Sequence, residues 1–127
     1  MKTKQKRPKF LNLLQIRLPV TGVNSIAHRV SGTLLFLAIP GFIYLFNLSL
    51  KDAQTFAQFT QIIHSTSFKL IVTMLAWAIG HHLLAGIRFL LTDLDVGTSL
   101  AASRRFAWTV NIAGIVVFAI IAARIWS

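Results

Sequence analysis

Three stretches of the chain carry no charged side chain: Val30 to Leu50 (21 residues), Leu70 to Ile87 (18) and Phe106 to Ala123 (18). A helix that crosses a bilayer needs about 20 mainly apolar residues, because it rises about 1.5 Å per residue through a hydrocarbon core of about 30 Å. The second run extends past Arg88 through Phe89, Leu90 and Leu91. An arginine near a helix end can carry its head group to the interface, and Arg124 extends the third run in the same way. None of the three shows a polar face at helical period, as a soluble bundle would require. Nor is there the alternation of a β-barrel. Pro40 should kink the first helix without breaking it, since membrane spans tolerate proline.

These runs predict an all-α membrane protein, one membrane domain over 1–127 with transmembrane helices at 25–50, 67–92 and 104–126. Ser25 to Arg29 open the first helix, and Asn47, Ser49 and Asp52 signal its exit. A short outer helix or loop fills 53–65, and Asp95 and Gly97 lie in the loop between the second and third spans. Residues 10–20 (FLNLLQIRLPV) are apolar but too few to cross, and Pro19 stops them. The 1–24 region is therefore read as a cytoplasmic segment whose apolar part lies along the membrane interface. No internal repeat is present.

Composition sharpens this picture. Of 127 residues, 55% are hydrophobic and 13% charged, against about 25% charged in soluble domains. With no cysteine, disulfide scaffolds, thiolate metal sites and iron–sulfur ligation by this chain are excluded. The net charge of +10 would suggest nucleic acid if it were clustered on a soluble face. Instead Lys2, Lys4, Lys6, Arg7, Lys9, Arg17 and Arg29 fall on one side of the membrane with Arg88, Arg104 and Arg105, ten in all. Lys51, Lys69 and Arg124, three, fall on the other. Positive residues favour the cytoplasmic side. The expectation is a multi-pass protein with a cytoplasmic N-terminus, whose charge sets topology and meets lipid headgroups, with no nucleic-acid partner. The long basic head followed by a span-length run argues against a cleaved signal peptide. With no transit peptide evident, a bacterial inner membrane is favoured over a mitochondrially encoded counterpart.

Polar residues inside the spans carry the candidate chemistry, because an ionisable group in hydrocarbon is costly unless it meets protein, water or a cofactor. His81 and His82 lie in the second span, about 100° apart on a helix. The face of His82 carries Ala78, Ala85 and Gly86, a small-residue strip that admits a flat group or another helix. The face of His81 carries the bulkier Trp77, Leu84 and Arg88. His82 is thus the better candidate for axial ligation of a haem iron; the competing reading is that both histidines only hydrogen-bond across helices. In the first helix, Ser25, His28, Arg29 and Gly32 share a face. It offers a hydroxyl, an imidazole and a fixed cation at headgroup depth, which suits the carbonyls of a lipid-soluble quinone. An N-cap with interfacial anchoring explains the same residues. His82 lies roughly 9 Å from Arg88 along the helix, so a haem there could direct its propionates towards His28 and Arg29. His64 reads as a solvated surface residue. There is no carboxylate dyad, no Ser-His-Asp pattern and no glycine-rich phosphate loop.

Two segments carry a family resemblance. Arg7-Pro8 followed by Ser25-Ile26-Ala27-His28-Arg29-Val30-Ser31-Gly32, and then His82-Leu83-Leu84-Ala85-Gly86-Ile87-Arg88-Phe89 closing at Asp93, resemble the two signatures of the cytochrome b-type large membrane anchor of succinate dehydrogenase. Length, span number and motif order agree over the whole chain. The pattern departs at Thr92 and Asp95, where the family has an aromatic or Met and a small residue.

The resemblance implies a non-flavin subunit of respiratory complex II, an enzyme of the tricarboxylic acid cycle and electron transport, with no succinate-oxidising activity of its own. It implies docking of the flavoprotein and iron–sulfur subunits, and pairing with a second small anchor that shares one haem b. His82 matches the family's iron ligand. His28 and Arg29 match its propionate contacts, and Ser25 and Arg29 its ubiquinone-site residues. An anchor of a quinol:fumarate reductase is the alternative, and a non-catalytic packing or assembly subunit a further one.

Overall fold

A computed structural model describes residues 17–127; residues 1–16, with most of the apolar stretch 10–20 expected at the interface, lie outside them. In chain order the elements are α1 (Val20–Lys51), α2 (Ala53–His64), α3 (Thr66–Asp93) and α4 (Leu100–Trp126). Helices α1, α3 and α4 are long and apolar enough to cross a membrane, and no strand occurs among the described residues. The protein is an all-helical, multi-pass membrane protein.

Helix α1 begins five residues before the expected opening at Ser25. Pro19, extended at ψ 156°, caps it, and its carbonyl accepts from the amides of Gly22 (2.9 Å) and Val23 (3.1 Å). Proline at a helix start sacrifices no hydrogen bond, since that amide would be unpaired in any case. The chain stays helical through Pro40. At the other end Asp52 opens α2 with a capping box. The Thr55 amide donates to Asp52 Oδ1 (2.8 Å) and the Asp52 amide donates to Thr55 Oγ1 (3.1 Å). Ser65 and Ser99 cap α3 and α4 through the amides of Phe68 and Ala102. Asp95 (φ 59°) and Gly97 (φ 74°) make the left-handed turn between α3 and α4. A Cβ on Gly97 would also collide with the Phe106 ring.

Donation from the Thr55 backbone holds the Asp52 carboxyl below its ordinary pKa. The cap is therefore at full strength above the unfolded-chain value, about 4. It weakens as pH falls through the lower folded value. Amide exchange at Thr55 is expected to be flat with pH near neutrality, after correction for intrinsic rates, and to lose protection in that acidic window; in Asp52→Asn the acid-dependent loss should disappear.

Helix α3 is the centre of the bundle, packed against α1 on one side and α4 on the other. Its buried positions are mostly small: Ala76, Ala78, Gly80 and Ala85. On the α4 side Gly80 faces Val117 and His81 faces Gly114; on the α1 side His82 faces Gly32 and Gly86 faces His28. In lipid, apolar burial does not drive helices together, so close backbone approach and interhelical hydrogen bonds must. The large apolar side chains accordingly point outwards: Phe36, Leu83 and Ile112 are all more than half exposed.

Candidate functional site

The site is built where the His28–Gly32 turn of α1 crosses α3. Gly32 presents bare backbone to His82; a Cβ there would stand 2.8 Å from His82 Cε1 and 3.2 Å from Nδ1. The imidazole therefore lies flush against α1. Its Nδ1 is 3.1 Å from the His28 carbonyl oxygen and 3.2 Å from Ser31 Oγ. Ser31 is fully buried, and its hydroxyl donates to the same His28 carbonyl at 2.8 Å. The His28 ring stacks on the His82 ring, with centroids 4.2 Å apart and planes within 5°. Phe89 meets His28 edge-on at 5.1 Å, and Gly86 admits His28 Nε2, which would stand 3.6 Å from a Cβ there. Among the described residues, Nε2 of His82 has no hydrogen-bond partner.

The small-residue strip beside His82 is filled rather than open. Ala78 and Ala85 are fully buried, and Gly86 abuts His28. Small residues let helix backbones approach, and here they bring a helix to within reach of His82. Ser25, about one turn before His28, is half-buried, and Arg29, next to it, is exposed. The structure thus brings His28 together with His82, and leaves Ser25 and Arg29 available to groups outside the chain.

His81 occupies different surroundings. It is 2% exposed, sits against Gly114 of α4 (a Cβ there would be 3.4 Å from Nδ1) and stacks on Trp77 at 5.4 Å. Its Nε2 is sealed without a partner among the described residues. With Trp77, Trp108 and Asn111 it lines a cleft of about 500 Å³ among α1, α3 and α4.

A buried polar network, absent from the sequence reading, ties three helices together. The expectation that Arg88 carries its head group to the interface does not hold: Arg88 is 7% exposed. Its Nη1 donates to Asn24 Oδ1 (3.0 Å), and its Nη2 donates to Ser103 Oγ (3.1 Å). Asn24, itself fully buried, donates through Nδ2 to Asn111 Oδ1 (3.0 Å). Both partners of the guanidinium are neutral, and the Phe89 ring lies 5.1 Å beneath it. Hydrogen bonds offered by two adjacent helices hold the side chain inside, so it does not reach outwards. The signal in the sequence was Asn24 and Asn111, two amides at membrane depth. Ser31, three residues after His28, was the other overlooked residue.

Comparisons with known proteins agree with this architecture. Residues 3–122 match the model of the succinate dehydrogenase/fumarate reductase transmembrane subunit. The chain is 36% identical over 122 residues to the succinate dehydrogenase cytochrome b556 subunit of Coxiella burnetii, covering 95% of this chain and 96% of that one. It is 33% identical to the same-named subunit of Rickettsia bellii (90% and 92% covered). The same-named subunit of Paracoccus denitrificans is 30% identical (91% and 88% covered). Spans, motifs and near full-length similarity together make this chain a member of the succinate dehydrogenase/fumarate reductase transmembrane subunit family.

Proposed function

We propose that the chain is the haem b-carrying membrane anchor of a succinate:ubiquinone oxidoreductase. It would be a single membrane domain of a bacterial inner membrane with its N-terminus in the cytoplasm. In this reading it docks the iron–sulfur and flavoprotein subunits, pairs with a second small anchor, and oxidises no succinate itself. The observation that carries the reading is the state of His82: one imidazole nitrogen is held by backbone and hydroxyl of α1, while the other has no partner among the described residues. A metal-ligating histidine is characteristically held in this way, with its far nitrogen engaged by a carbonyl and its near one free. The relatives' names, cytochrome b556, point to the same group.

His82 would then hold the haem iron through Nε2, and the second anchor would share the group. His28 and Arg29 would hold the propionate carboxylates by charge-assisted hydrogen bonds. The haem, when bound, supplies one-electron redox chemistry. Ser25 would donate a hydrogen bond to a carbonyl of ubiquinone, and the Arg29 guanidinium would stabilise negative charge developing on the quinone oxygen during reduction. Both side chains lie at the cytoplasmic end of α1, on the side from which electrons and protons must arrive.

A reduced-minus-oxidised spectrum of the complex purified with its partners tests the reading, and absence of a b-type signal would refute it. Arg29→Ala is expected to lower quinone reduction on the order of 10²-fold, leaving succinate oxidation by a soluble artificial acceptor nearly intact. Parallel loss of both activities would mean failed assembly and remove the quinone-site role. The family description also covers fumarate reductases. Copurification of a low-potential menaquinone in place of ubiquinone would favour that direction.

A further inference from the structure

Resting on the assignment of His82 as the iron ligand, we infer that Ser31, with the backbone carbonyl of His28, is a positioning device that selects the ligating tautomer of His82 and fixes its ring plane.

The hydrogen-bond inventory around Nδ1 allows one consistent arrangement. The His28 carbonyl oxygen can only accept, and it lies 3.1 Å from His82 Nδ1 and 2.8 Å from Ser31 Oγ. A bare Nδ1 lone pair would face that oxygen across 3.1 Å with no proton between them. With the proton on Nδ1, every contact is satisfied. Nδ1–H donates to the His28 carbonyl and shares its proton with Ser31 Oγ at 3.2 Å. The Ser31 hydroxyl spends its own proton on the carbonyl, so its oxygen faces His82 as an acceptor. A neutral imidazole protonated on Nδ1 leaves its lone pair on Nε2.

The same turn sets the orientation of the ring. A side chain at Gly32 would occupy the space that His82 Cε1 fills, 2.8 Å from the Cβ position. The His28 ring lies parallel to the imidazole at 4.2 Å. Backbone at the ring edge and a ring stacked on its face restrict rotation of the imidazole. Ser31 is fully buried, so no water competes for its bonds.

Two acceptors on Nδ1–H push electron density into the ring and favour the ferric iron. Ser31→Ala, in the whole purified complex, is expected to retain the b-type spectrum while raising the haem midpoint potential. It should also alter the ferric low-spin EPR g-values and speed haem loss to excess apomyoglobin about 10-fold, the scale for losing a partner behind a metal ligand. Ser31→Thr, which keeps the hydroxyl, should restore all three readouts. The proposal is overturned if Ser31→Ala leaves potential and g-values at the wild-type position, or if Ser31→Thr departs as far as Ser31→Ala. Loss of haem in Ser31→Ala with retention in Ser31→Thr supports it; loss in both overturns it. His82→Leu separates the two levels: an unchanged haem spectrum there sinks the ligand assignment itself, whereas a failure confined to Ser31 removes only the positioning role.

Discussion

His82→Leu is expected to abolish the b-type haem of the purified complex while the flavoprotein still oxidises succinate with a soluble acceptor. The loss should exceed the roughly 10–100-fold in affinity typical for a residue that only supports a ligand, because the proposed iron ligand itself would be gone. Neither neighbouring histidine can substitute. His28 stacks on the face of His82 with its own Nε2 directed at Gly86, so moving it into the iron's place would break that stack and its contact with Phe89. His81 is turned about 100° around α3 and enclosed against Gly114 and Trp77. A leucine at 82 also meets the bare backbone of Gly32, which accommodates a flat ring edge and not a branched carbon. Difference spectroscopy together with a pyridine haemochrome assay reads the result. Haem content at the wild-type level would end the assignment.

The second large effect is on stability. Asn24→Leu removes the acceptor of the Arg88 guanidinium and the donor to Asn111 in one change. Leucine must also enter a slot in which Asn24 is fully buried. Two magnitudes compete. Neutral hydrogen bonds between membrane helices contribute only about 0.6–2 kcal/mol. Taking a hydrogen-bond acceptor away from a buried charged group costs about 1.5–3 kcal/mol. Ser103 would be the guanidinium's remaining partner among the described residues, so the larger figure governs. Thermal unfolding of the detergent-solubilised complex should report a loss of about 1.5–3 kcal/mol, against little change for Ile79→Ala on the exposed face. Adding Arg88→Met to Asn24→Leu should recover part of the loss, since the uncompensated charge is then gone, and the coupling from that double-mutant cycle should be well above 0.5 kcal/mol. Additive losses would show that Asn24 acts by packing alone and not as a partner of the charge.

Much of the architecture can be read along the chain. Charge-free runs near 20 residues mark α1, α3 and α4, and polar stretches mark their connections. The helix ends were less legible. Pro19 reads as a stop for the segment before it, yet it also opens α1. The early start also brings Asn24 into the helix, where Arg88 and Asn111 hold it. Arg88 misleads because position in a span does not reveal azimuth: the same residue near the same helix end would snorkel if it faced lipid. The strip beside His82 misleads for a related reason. Ala78, Ala85 and Gly86 announce close approach, but not whether a helix or a flat ligand arrives.

The sequence by itself determined the number, length and order of the apolar helices, because bilayer thickness and the cost of charge in hydrocarbon act on each segment independently of the others. It also marked Ser25, His28, Arg29 and His82, since ionisable and polar groups at membrane depth stand out without any knowledge of their neighbours. Only the tertiary structure decided what those residues face. It set His28 flat against His82, put Ser31 and the His28 carbonyl behind Nδ1, turned His81 towards α4, and enclosed Arg88 between Asn24 and Ser103. Those outcomes depend on how each helix is rotated about its own axis. That rotation is set by which small residues of neighbouring helices come into contact, a pairwise property that no single stretch of sequence contains.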